Sequence, residues 1–130
     1  MSSINAPTNG AVTLVARILL TILFIPSGFS KLTAISGTAG YFANLGLPLP
    51  TVTAVIVGLI EFVGGIAVLI GFKTRVAAIL LGLFTIGAAL IGHAVPFDET
   101  AFFKNMAIAG GFFVLTMHGA GSISVDAKRA

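Results

Sequence analysis

Four long apolar runs, residues 11–30, 51–72, 76–97 and 101–119, fill most of this chain, with short polar breaks between them. Each run is about 20 residues long, which at about 1.5 Å per residue crosses a hydrocarbon layer about 30 Å thick. A membrane β-strand would alternate apolar and polar residues, whereas these runs are continuously apolar. The pattern therefore predicts an all-α integral membrane four-helix bundle, a single domain over residues 1–130. The second and third runs are joined almost directly through Lys73-Thr74-Arg75, which makes them antiparallel neighbours. The connection over residues 31–50 is much longer. Its stretch 33–45 carries Ile35, Tyr41, Phe42 and Leu45 among small polar residues, and Pro48 and Pro50 follow. This spacing predicts a short interfacial helix with Tyr41 at headgroup level, the prolines restarting the next span.

Composition agrees with that reading. The 130 residues are 57% hydrophobic and only 8% charged, with a mean hydropathy of +1.11; soluble domains carry about 25% charged residues. Residues 1–10 hold no Lys or Arg, and no small-residue cleavage site follows the first run, so a removable signal peptide is not expected. The absence of cysteine excludes acylation, a thiol relay and a cysteine-ligated iron–sulfur cluster within the chain. The net charge of +3 is no nucleic-acid patch, because the basic residues sit near span ends. Lys73, Arg75, Lys128 and Arg129 fall on one side, with Arg17 a little way into the first run. Lys31 and Lys104 fall on the other. The positive-inside rule then predicts that both termini face the cytoplasm.

A faint internal repeat relates the halves. Val15-Ala16-Arg17-Ile18-Leu19-Leu20 echoes Val76-Ala77-Ala78-Ile79-Leu80-Leu81, and Gly64-Gly65-Ile66-Ala67-Val68-Leu69 echoes Gly110-Gly111-Phe112-Phe113-Val114-Leu115. Only the first half carries charge at the repeated positions, as Arg17 and Glu61. Glycines such as Gly58, Gly65, Gly82 and Gly111 suit close helix contacts in lipid or a homo-oligomer face, and Pro26 should kink the first span.

Glu61 is the one charge within residues 51–72. A mid-membrane carboxylate costs about 3 kcal/mol on insertion scales and is most often functional. Arg17 lies about 9 Å and Glu61 about 15 Å from the same face, a gap an arginine can span. The expectation is an Arg17–Glu61 pair acting as the catalytic or proton-exchanging centre, with the alternative that it only fixes helix register. Thr21 and Lys31 share the Arg17 face of the first helix. Lys104 and Asn105 open the fourth helix, and with His93 they are candidate ligand-binding residues of the same pocket. Lys104 taken alone would snorkel to the headgroups. His93 and His118 lie about 25 Å apart at opposite membrane faces, so they do not ligate one haem, and no residue cluster has metal-ligand spacing. His118, beside Gly119, reads as a helix-capping residue.

These residues fall in a familiar order: Ala16-Arg17-Ile18-Leu19-Leu20, Ser27-Gly28-Phe29-Ser30-Lys31-Leu32, Tyr41-Phe42-Ala43-Asn44-Leu45-Gly46-Leu47-Pro48, Glu61-Phe62-Val63-Gly64-Gly65, Leu69-Ile70-Gly71-Phe72-Lys73-Thr74-Arg75, His93, Phe103-Lys104-Asn105-Met106-Ala107 and Gly110-Gly111. Over nearly its whole length the chain resembles the DoxX family of small bacterial inner-membrane proteins. The family takes its name from small subunits of an archaeal thiosulfate:quinone oxidoreductase. The resemblance implies a four-helix membrane bundle linked to membrane redox complexes and oxidative-stress defence. It carries Arg17, Lys31, Glu61, His93, Lys104 and Asn105 as motif positions.

The leading expectation is thus a quinone-linked redox component with a buried Arg/Glu pocket and no covalently bound cofactor. Its expected partners are the lipid bilayer, a quinone or lipid headgroup and a redox protein, and no nucleic acid. Two alternatives stand beside it: a non-enzymatic anchor or stabilising subunit of a larger complex, and a small carrier or proton pathway.

Overall fold

A computed structural model describes residues 10–129. The reading of residues 1–10 as an uncleaved leader lies almost wholly outside them. The chain order is α1 (Gly10–Thr21), α2 (Phe24–Thr33), α3 (Ile35–Asn44), α4 (Pro50–Ile70), α5 (Thr74–Gly92), α6 (Glu99–His118) and α7 (Val125–Arg129). The first span, Gly10–Thr33, comprises α1 and α2, and α4, α5 and α6 form the other three. Among the described residues the protein is entirely helical, a multi-pass membrane bundle as the apolar runs predicted.

Lipid turns the usual polarity of a helix around. On α1, Gly10, Thr13, Arg17 and Thr21 form the buried stripe, while Val12, Val15, Ile18 and Leu19 point outward. On α4 the buried stripe is Ala54, Gly58, Glu61, Gly65 and Val68, at alternating spacings of four and three. Small residues dominate these stripes because helices in lipid gain from close backbone approach rather than from burying apolar surface. Gly28 faces the backbone of Phe62 and Gly58 on α4, and a β-carbon there would clash with main-chain atoms that cannot move aside. This contact sets how closely α2 lies on α4.

The first span is interrupted at Ile22–Leu23. Pro26 has no N–H to give to Ile22, and its ring crowds the turn below, so the helix restarts at Phe24. The tight turn after α4 works as read from sequence. Gly71 takes a left-handed conformation (φ 74°) and Phe72 N donates to Ala67 O at 2.8 Å, closing the helix end.

Two boundaries differ from expectation. The third span stops at Gly92 rather than at residue 97; Pro96 cannot continue a helix, and residues 93–98 turn so that Asp98 N reaches His93 O at 2.9 Å. The C-terminal helix α7 was not anticipated. Residues 119–129 fold back beneath the bundle, and Asp126 caps α5 from a distance in sequence, accepting from Lys73 N at 2.6 Å and Thr74 N at 2.8 Å. The backbone N–H of Asp126 returns a bond to Gly71 O at 2.8 Å.

The apolar core lies in the half of the bundle nearer the tight turn. Phe24, Val68, Ala77, Ala78, Leu81, Phe112 and Leu115 pack together there, and Phe24 meets Phe112 edge to face at 5.5 Å. Toward the α3 end the spans separate. There α2 packs on α4, which also carries α3, while α5 packs most extensively on α6.

Candidate functional site

That separation leaves a cavity of about 440 Å³ between the two pairs of helices. Leu23 and Phe24 stand at its deep end. Phe42, Leu47, Val57 and Phe84 supply apolar wall, and Ser27, Lys31, Glu61, His93, Lys104 and Asn105 supply the polar groups.

Glu61 is 7% exposed and sits about 16 Å along α4 from Pro50, near mid-span. Its partner is Lys31, whose Nζ lies 2.8 Å from Oε1. Lys31 Nζ also donates to Ser27 Oγ at 2.7 Å, and Ser27 Oγ donates to the same Glu61 oxygen at 3.2 Å. The three close a triangle. Ser27 and Lys31 are one helical turn apart on α2, and Gly28 and Gly58 let that turn lie against α4 at the height of Glu61. Lys31 therefore extends inward, the reverse of a snorkel. Asn105 is buried on α6 and donates through Nδ2 to Thr85 O at 3.3 Å, leaving its amide oxygen for the cavity.

The expected Arg17–Glu61 pair is not formed. Arg17 is 1% exposed, and its Nη2 donates to Ile123 O at 2.5 Å, on the C-terminal segment at the opposite end of the bundle. Height alone allowed either direction. The folded-back segment offers Arg17 a carbonyl and the Asp126 charge nearby, and Lys31 has already neutralised Glu61. Nor does Thr21 reach the cavity, because its hydroxyl bonds back to Arg17 O at 2.7 Å. Lys31, His93, Lys104 and Asn105 do come together with Glu61, as expected. Sequence reasoning missed Ser27, although its place one turn before Lys31 was visible.

His118 does not act as the helix cap. Gly119 (φ 87°) ends α6, donating its N–H to Leu115 O at 2.8 Å, and His118 Nε2 lies 3.2 Å from Thr13 Oγ1. At this end the environment of Asp126 alters its acidity. Burial pushes its carboxyl up, but bonds from Thr74 and Lys73 with the nearby Arg129 charge outweigh burial and hold it below the usual carboxylate range. Among the described residues no group of three His, Asp or Glu could hold a metal ion.

Fold and cavity define a small multi-pass membrane protein with a cavity that sets polar side chains among apolar walls. The DoxX family model matches residues 12–94. The chain is 39% identical over 123 residues to inner membrane protein YphA of Escherichia coli, covering 88% of each chain. It is 42% identical over 116 residues to inner membrane protein YqjF of the same organism, covering 87% of this chain and 88% of that one. It is also 34% identical over 95 residues to the Bacillus subtilis protein named "Putative oxidoreductase CatD", covering 72% and 69%. No solved structure matches. The chain belongs to the DoxX family. The family match ends at residue 94, so Lys104 and Asn105 on α6 lie beyond it.

Proposed function

We propose that the protein is a quinone-linked component of a redox or oxidative-stress system in the bacterial inner membrane, with both termini in the cytoplasm. The observation that carries this reading is the Lys31–Ser27–Glu61 triangle, charged and half-buried, beside open apolar space. A structural ion pair needs no cavity next to it. The volume of about 440 Å³ falls within the about 300–1,000 Å³ common for small-molecule sites. The donor set also suits a flat ring bearing two carbonyl oxygens. When bound, a quinone supplies two-electron, two-proton chemistry.

The residues of the chain divide the remaining work. Lys31 can turn an N–H from Glu61 toward a ligand carbonyl, and Ser27 holds Glu61 in place when it does. Glu61 gives or takes a proton at Oε1. The amide of Asn105 and the side chain of His93 can orient the far side of a ring, while Phe42, Leu47 and Phe84 exclude water. Electrons come from a redox partner protein, in keeping with the oxidoreductase named in CatD. The termini follow from charge: Lys73, Arg75, Lys128 and Arg129 share one end of the bundle.

The test is nanodisc purification, extraction of co-purifying quinones, and titration with a short-tailed quinone by calorimetry. Saturable binding is expected, weakened by about tenfold or more in Glu61→Gln and Lys31→Met, the loss of one charge-assisted hydrogen bond. Purified protein that carries no quinone and shows no saturable binding overturns the reading.

A further inference from the structure

The cavity is closed at one end, and its wall has gaps on the other. Toward the tight turn the floor is sealed by Phe24 against Phe112, with Val68 and Leu81 fully buried behind them. Below that layer Leu20 fills the space over Gly111, and Ile25 the space over Gly65. Arg17 and Thr21 lie deeper still, both 1% exposed. No described polar group bridges this plug between Glu61 and the tight-turn end.

At the other end the lining residues reach the surface. Leu23, Tyr41 and Ile91 line the cavity yet are each about half exposed, at 48%, 54% and 50%. Leu23 belongs to the break in the first span, at mid-membrane depth, so the apolar lip extends from there to the mouth. Lys104 is exposed at the mouth and forms no salt bridge. Across the seam α4 packs on α5 less extensively than α2 on α4 or α5 on α6, and Lys31, Glu61, His93 and Asn105 line the space left open between the pairs.

We infer that the site takes an amphiphile from the membrane leaflet on the α3 side, and that water and protons reach Glu61 only from that face. Its ligands are lipid-borne molecules with a compact polar head, which lodges by Lys31, Glu61 and Asn105, and an apolar tail that leaves past Leu23 and Ile91. This rests on the quinone reading for the identity of the head and on the geometry alone for the path. In this conformation the described residues offer no continuous polar route from Glu61 through the sealed floor.

The chain has no cysteine, so single thiols report on the path. Gly87 lines the cavity, and a β-carbon there meets nothing within 4 Å, which makes Gly87→Cys a mild probe. Gly40→Cys, exposed on α3, marks one face, and Lys128→Cys, exposed on α7, marks the other. Right-side-out and inverted membrane vesicles are treated with a membrane-impermeant maleimide. Gly87→Cys is expected to react in the same vesicles as Gly40→Cys, at least tenfold faster than in those where Lys128→Cys reacts. In nanodiscs, a bimane attached at Gly87→Cys should be quenched by lipids brominated on the acyl chain. Reaction from the Lys128 face, reaction from neither face, or absence of lipid quenching overturns the inference. One-sided labelling with lipid quenching but no quinone binding sinks the redox reading and leaves the access path standing.

Discussion

Lys31 Nζ lies 2.8 Å from Glu61 Oε1, joining the first and second spans through an ion pair in which Glu61 is buried and Lys31, from the membrane-surface end of its helix, is half-buried. Such a pair gains little over a well-packed apolar one, yet removing one partner strands the other charge out of water. Lys31→Met should therefore cost on the order of 2–5 kcal/mol, and Lys31→Met with Glu61→Gln distinctly less than the single change. Thermal unfolding of the three variants in one detergent tests this. Additive losses would mean that the two groups are not coupled.

Arg17 belongs to the C-terminal segment and not to the cavity. Arg17→Gln should leave quinone affinity within about twofold of the parent. It should also release residues 121–129 to limited proteolysis, because the Ile123 carbonyl loses its donor. A quinone affinity that falls with Arg17→Gln as far as with Glu61→Gln would return Arg17 to the site.

Asp126 makes the packing of the C-terminal segment sensitive to acid. Its carboxyl titrates below the ordinary range in the folded protein. The stability it adds is thus complete above the unfolded carboxylate pKa of about 3.9 and is lost as pH falls through the lower folded value. Asp126→Asn should cost about 1 kcal/mol at neutral pH, the size of a helix cap, with a gap from the parent that closes below about pH 4. Thermal unfolding at pH 3 to 7 measures it, and a gap independent of pH would contradict the assignment.

Glycines at two positions should respond in opposite ways. Gly28→Ala drives a methyl group into the α4 backbone and should cost about 1–3 kcal/mol as overpacking. Gly87→Ala meets open space and should be neutral or stabilising by about 1 kcal/mol through helix propensity. A larger side chain, Gly87→Phe, should fold while reducing quinone binding by about tenfold or more.

The apolar runs made the four spans, the interfacial helix and the antiparallel hairpin legible, because length and continuous hydrophobicity leave few other folds in lipid. The polar positions around the cavity could also be read, since Glu61, Lys31, His93, Lys104 and Asn105 break otherwise apolar or short segments. Which base neutralises Glu61 was not legible. Arg17 and Lys31 lie on the same helical face at comparable reach, and the outcome turned on Ser27, on the Gly28 contact and on a folded-back tail that takes a hydrogen bond from Arg17. That tail carries no hydrophobic period of its own, and its position depends on hydrogen bonds that Asp126 accepts from residues about fifty positions earlier. No local pattern encodes such a pairing.

The interruption at Ile22–Leu23 divides labour along the first span. The side that holds α1 concerns assembly, with the Arg17 clamp and the capped turn beneath the Phe24–Phe112 layer. Nearly everything on the other concerns what is held. Substitutions in the upper walls, at Leu47, Val57 or Ile91, can thus retune the choice of guest while the scaffold below stays untouched, which gives one compact architecture room to diversify its clientele.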